Sequence, residues 1–171
     1  MTSIKYFKAI LILFIFVVTV LTCFCIDLGN NNCGGVNHVC CENKTCSSPE
    51  LICVEDKCMN FKINISSDQD SYKSGTKANI TVKIDSSGKL NNVKIRVYGI
   101  KPVGFHVSRY KLDDTEILNL TPGINVKSTI YNLPECISCS GVRAGAHEIR
   151  AELTYTDTIL YNSTKTIELI K

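Results

Sequence analysis

From residue 61 onward, apolar and polar residues alternate in short runs, the period-two signature of strands with one face buried. Ala78, Ile80, Val82 and Ile84 alternate with Asn79, Thr81 and Lys83, and Val93, Ile95 and Val97 alternate with Lys94, Arg96 and Tyr98. The pattern returns with Ile149, Ala151, Leu153 and Tyr155 set inward against Glu148, Arg150, Glu152 and Thr154, and more loosely across residues 124–133 and 158–170. Asp85-Ser-Ser-Gly88 and Thr121-Pro-Gly123 punctuate the runs as turns, through the free φ of glycine and the fixed φ of proline. No long helical periodicity competes, so residues 60–171 are expected to form an all-β, antiparallel β-sandwich of about seven short strands.

The N-terminus has a different pattern. Lys5 and Lys8 precede an uncharged run over residues 9–26, and the next charge is Asp27. A basic start followed by an apolar stretch is what membrane insertion requires, so residues 1–25 are expected to be a signal peptide or an N-terminal membrane anchor. The run falls just short of the about 20 residues that span a bilayer, which favours cleavage, with Cys23 and Cys25 small enough for a cleavage site ending at Cys25. A lipidated Cys23 is the weaker alternative, since Val20, Leu21 and Thr22 do not suit it. Loss of the leader takes Lys5 and Lys8 from 19 basic residues against 16 acids, leaving a net charge of +1. Without clustered positive charge or an aromatic and basic motif, nucleic acid is excluded as a partner.

Between the two lies a cysteine-dense stretch. Cys33, Cys40, Cys41, Cys46, Cys53 and Cys58 follow the spacing C-x6-C-C-x4-C-x6-C-x4-C, and Cys136 and Cys139 lie far downstream. Behind an export signal this density reads as disulfides, because the compartment is oxidising and so short a segment cannot bury enough apolar area to hold itself together. Zinc would need short C-x2-4-C pairs, and only His38 is near. Cys40 and Cys41, being adjacent, are not expected to pair with each other. Six cysteines otherwise allow 15 pairings, so the connectivity of residues 33–58 stays open.

The stretch from Cys33-Gly-Gly through Cys40-Cys41 and Cys46 to Cys53 and Cys58 resembles small cysteine-rich repeats of secreted proteins, of the dickkopf and knottin kinds. Its adjacent cysteines are the second and third, where knottins have the third and fourth. The sandwich region, through Asp70-Ser-Tyr-Lys-Ser-Gly75, Ala78-Asn-Ile-Thr-Val82 and Leu120-Thr-Pro-Gly123, resembles the Ig-like modules of prokaryotic, especially archaeal, surface proteins. The resemblance implies an Ig-like or fibronectin-III-like fold acting as a stalk, adhesin or assembly part. A core Trp and a cysteine pair that would bridge two sheets are both missing, which separates it from antibody domains.

Several groups could carry function. Cys136-Ile-Ser-Cys139, in a loop between strands, reads as a small structural disulfide in preference to a metal clamp or a redox pair, for no helix lowers the first thiol's pKa and His147 alone does not complete a metal site. Five sequons, at Asn43, Asn64, Asn79, Asn119 and Asn162, offer glycosylation in a host that has the machinery. In the segment 99–110, Phe105, His106, Arg109 and Tyr110 are the residue types that anchor interfaces, although a capping loop would use them too. Asp68 and Asp70 suit a turn better than a calcium site. His38, His106 and His147 stand apart, and no nucleophile elbow, zinc-protease motif or phosphate-cradling loop accompanies them, so no catalysis, cofactor or metal is expected.

The reading is a non-catalytic exported or cell-surface protein, acting in adhesion, recognition or structure. Its expected partner is an extracellular protein or cell-envelope component, with membrane contact only through an uncleaved N-terminal segment. A secreted inhibitor or effector working through the disulfide-rich module is the alternative, weakened because residues 33–58 contain no Arg, Trp, Tyr or Phe.

Overall fold

Alternation along the chain becomes two facing sheets in the computed structural model, which describes residues 33–102, 110–136 and 142–171. The expected leader lies outside the described residues. Ten strands follow in order: β1 (Ile52–Val54), β2 (Lys57–Met59), β3 (Phe61–Ser67), β4 (Ser71–Lys73), β5 (Lys77–Ser86), β6 (Leu90–Gly99), β7 (Leu112–Leu120), β8 (Gly123–Asn132), β9 (Gly145–Tyr155) and β10 (Thr158–Ile170). One sheet has the order β4-β10-β9-β6-β7, the second β3-β5-β8, and β1 with β2 forms a separate hairpin. The fold is all-β, a sandwich preceded by a disulfide-rich segment, with one 3-10 turn at Glu42–Lys44.

Period-two burial assembles the core. Val93, Ile95 and Val97 of β6 and Ile149, Ala151 and Leu153 of β9 face Ile63 and Ile65 of β3 and Ala78, Ile80, Val82 and Ile84 of β5 across the interior, all nearly inaccessible to water. On β9 the expected inward set ends at Leu153, for Thr154 is also buried and Tyr155 is only half-buried.

One strand departs from the expected antiparallel order: β4 runs parallel to β10, with Tyr72 opposite Leu169. The chain leaves β3 in one sheet, crosses to β4 in the other and returns to β5 in the first, and Asp68 holds the crossing. Its carboxylate accepts from the Tyr72 hydroxyl at 2.5 Å and from the Asn79 amide at 2.8 Å, which keeps it below the usual carboxylate range. Asp70 pairs with Lys165, and its carbonyl accepts from the Glu168 amide. The two acids thus organise a turn.

The second departure is on the open side of the sandwich, where β7 and β8 are the edges of their sheets. Here the pattern is inverted. On β8 the side chains on the core side are Asn125, Lys127, Thr129 and Tyr131, in register with Ile84, Val82, Ile80 and Ala78, whereas Ile124, Val126 and Ile130 point out and are 70%, 60% and 67% exposed. Opposite them, β7 presents Asp114 and Glu116, in register with Val97 and Ile95. Lys127, with its side chain only 13% exposed, bonds to both acids, and the Tyr131 hydroxyl lies 3.4 Å from Asp114. Margins of a sandwich reach water, so polar groups can close this side provided that they pair.

Burial, and then the neighbouring Asp114 charge, pushes the Tyr131 phenol up to about 12. Tyr72 and Tyr155 are raised in the same direction, Tyr72 chiefly by burial and Tyr155 by its bond to Glu55. A folded state that holds these protons more tightly than the unfolded chain keeps its full stability below pH 10, and loses it as pH rises from about 10 towards 12. Urea titrations across that window are expected to show the decline, and Tyr131→Phe to flatten part of it; a decline unchanged in the variant would place the effect elsewhere.

The cysteine-rich module is fastened to one end of the sandwich, and Gly34–Lys171 forms one compact unit. Cys40 is bonded to Cys53 and Cys46 to Cys58, the second with the fifth and the fourth with the sixth of the module's cysteines. Cys33 and Cys41 are likewise disulfide-bonded. Val54 and Met59 join the sandwich core, Asn37 donates to the Ser87 carbonyl at 2.8 Å, and the Tyr155 hydroxyl donates to Glu55 at 2.5 Å. Gly34 adopts φ +80°, and a Cβ there would lie 2.8 Å from the Ser47 amide nitrogen and 2.9 Å from Cys41 Sγ, so the Cys-Gly-Gly start is dictated by space as well as by conformation.

Candidate binding site

The module occupies the end of the sandwich that carries the β5–β6 and β9–β10 turns, and the candidate site lies at the other. There β6 ends at Gly99, directly opposite Ile149 of β9. Gly99 approaches β9 so closely that a Cβ would sit 2.5 Å from the Glu148 carbonyl oxygen and 2.9 Å from the Ile149 Cα. Ile100 follows in the left-handed region, at φ +56°, with its side chain buried. A β-branched residue in that conformation is strained, and strain of this kind is held by its surroundings. The Ile100 amide donates to the Glu148 carbonyl at 3.4 Å and its carbonyl accepts from the Lys111 amide at 3.2 Å, pinning both ends of the loop 101–110.

Outward side chains from this region surround an open cleft of about 450 Å³, lined by Tyr98, Lys101, Tyr110, His147, Glu148 and Arg150 together with the Gly99 and Ala146 backbone. The Tyr98 and Tyr110 rings meet with centroids 4.9 Å apart at an inclination of 55°, and the Arg96 guanidinium lies 4.6 Å above the Tyr98 ring. Arg96 is itself held by a two-pronged bond to Asp113, both arms 2.8 Å, which keeps the Asp113 carboxyl below its ordinary range. Arg150 pairs with Glu148, and His147 donates from Nε2 to the Arg143 carbonyl at 2.7 Å. The result is an aromatic wall beside fixed positive and negative groups, a surface suited to a group with one apolar face and hydrogen-bonding edges.

Of the interface residues expected from sequence, Tyr110 belongs to this cleft, while Phe105, His106 and Arg109 lie outside the described residues. Cys136 carries a free thiol, half-buried against the core, in place of the expected bridge, and Cys139 lies outside the described residues. The only grouping of metal-binding residue types among the described residues is Cys40, Cys46 and Cys58, whose sulfurs are consumed in disulfides. Asn43, Asn64, Asn79, Asn119 and Asn162 are all exposed. Oxidation of all six module cysteines is consistent with an extracellular setting.

No protein-family model matches the sequence, and no curated protein does. Among solved structures, the chain is similar to the CARDB domain of a Pyrococcus furiosus protein, described in complex with di-metal ions, at 13% identity over 65% of this chain and 93% of that one, with a TM-score of 0.46. It is similar to the sporulation control protein Spo0M of Bacillus subtilis at 12% identity over 64% of this chain and 49% of that one, TM-score 0.46. A β-glucosidase of Erythrobacter marinus matches at 13% identity over 66% of this chain and 16% of the enzyme, TM-score 0.49. Likeness this distant carries nothing about activity, ligand or partner.

Proposed function

We propose that this chain is a non-catalytic, exported recognition module of the cell surface, engaging an extracellular protein or an envelope component through the Tyr98–Tyr110 cleft. The observation that carries this reading is the division of the sandwich into two ends. One end is sealed by the disulfide-stapled module, whose Val54 and Met59 enter the core; the other presents two contacting tyrosines among fixed charges over a strained, pinned backbone. Aromatic anchors with a nearby arginine are the chemistry of protein recognition, and they need no moving proton or bound cofactor. The docked module presents no aromatic or arginine of its own, which keeps the inhibitor reading secondary.

Binding of the fluorescently labelled, oxidised chain to envelope preparations of the cells that make it tests the proposal. Tyr98→Ala with Tyr110→Ala is expected to weaken binding at least tenfold, with the thermal transition little changed because both rings lie outside the core. Equal binding by the variant would move recognition away from this cleft.

A further inference from the structure

We propose that a second copy of this chain pairs with the free edge of β8, antiparallel and about a two-fold axis at Ser128, so that the three-stranded sheets of two molecules become one. This inference stands apart from the cleft, which lies on the other sheet.

The edges of the two sheets are guarded very differently. β4 is three residues long, β3 places Lys62 on its outer face, and β7 places Asp113 on its outer face. These are the features by which natural sheets discourage edge-to-edge pairing. β8 has none on its outer face. Over ten residues its outward positions after Gly123 are Ile124, Val126, Ser128, Ile130 and Asn132, all uncharged, and among the described residues no strand lies beyond it in the sheet. Lys127, the one charge on β8, points to the core side and is already bonded to Glu116 and Asp114 of its own chain, so it does not block an approaching strand.

The outward sequence is also complementary to itself. Antiparallel pairing centred on Ser128 sets Val126 opposite Ile130 of the second copy, and Ile130 opposite its Val126. Lys127 then faces Thr129 instead of another Lys127. Opposed β-branched residues on one sheet face are the cross-strand pairs that stabilise sheets. The central row becomes a run of hydroxyls, continuing the Thr81–Ser128 contact of 2.9 Å across the axis. A register centred on Lys127 would instead oppose two lysines, and that contrast selects the Ser128 axis.

The test is sedimentation of the full oxidised chain across a concentration series reaching about 100 µM, the range in which small edge interfaces associate. A dimer is expected, and Val126→Lys or Ile130→Lys, each on an exposed face that leaves the core untouched, is expected to raise its dissociation constant at least tenfold. Ser128→Cys supplies an independent readout. Residues opposite each other in an antiparallel pair have Cα atoms about 4.5–5.5 Å apart, within disulfide reach. Mild oxidation should therefore link Ser128→Cys into a covalent dimer and leave Asn132→Cys monomeric. A wild-type chain that stays monomeric throughout would overturn the proposal. So would a dimer indifferent to the lysine substitutions, or a monomer whose Ile130 face is covered by a glycan on its cross-strand neighbour Asn79.

Discussion

Replacing Cys46 and Cys58 together with serine is expected to lower the stability of the oxidised chain by about 3 kcal/mol and its Tm by roughly 10 °C. The bond closes a loop with a sequence separation of 12, and a loop of that size removes about this much entropy from the unfolded chain. The effect should not stay inside the module. Cys58 is fully buried, its neighbour Met59 packs in the sandwich core, and Val54 enters the same core from the adjoining strand. Loosening the hairpin therefore uncovers one end of the sandwich and frees Tyr155 from Glu55. Calorimetry gives the Tm, and near-ultraviolet dichroism reports the tyrosines. A module that melted first, with the sandwich transition left where it was, would show that the two parts fold independently.

Gly99→Ala should be the most damaging single-methyl change, costing roughly 2–3 kcal/mol as an overpacked site. The atoms that a Cβ would strike are the Glu148 carbonyl oxygen and the Ile149 Cα, both backbone, so no side chain can swing aside. Relief must come from parting β6 and β9 where they meet at the cleft. Gly35→Ala provides the control, since the atoms nearest its new methyl belong to the His38 ring, at 3.5 Å and beyond, an ordinary contact that should leave the denaturation midpoint almost unchanged. Equal midpoints for the two variants would mean that the close approach of β6 to β9 is absent in solution.

Strands β5, β6 and β9 were legible because each alternates cleanly and lies within its sheet, where one face is buried along its length. β8 was harder to read for a physical reason. On an edge strand the core-side positions can be filled by Lys127 and Tyr131 when a neighbouring strand supplies Asp114 and Glu116, and no local pattern announces a partner from another sheet. The β1–β2 hairpin was hidden, and β9 and β10 were read as runs without the turn that joins them, since the tight turns are made by Glu55-Asp56 and Thr156-Asp157 at positive φ, without the glycine that signals such turns. The parallel β4 depends on the Asp68 clamp, whose partners Tyr72 and Asn79 lie several residues on.

The cleft could be read only in pieces. Tyr110 stood out as an anchor residue and Tyr98 as an outward strand position, but their ring contact joins positions twelve residues apart that no local pattern pairs. Glu148 and Arg150 join them only through the β6–β9 register. Gly99 was read only as the first residue of the segment 99–110, because its closeness to β9 is a property of the paired sheet.

The long pairing of β10 also has a mechanical consequence. This strand runs antiparallel to β9 over most of its length and adds a parallel partner, β4, at its final residues Glu168 to Ile170. Tension drawn along β10 from the module end would load these ladders in shear, so that many hydrogen bonds must fail together instead of peeling one by one. A tether pulled along that axis would resist force far better than one pulled across it.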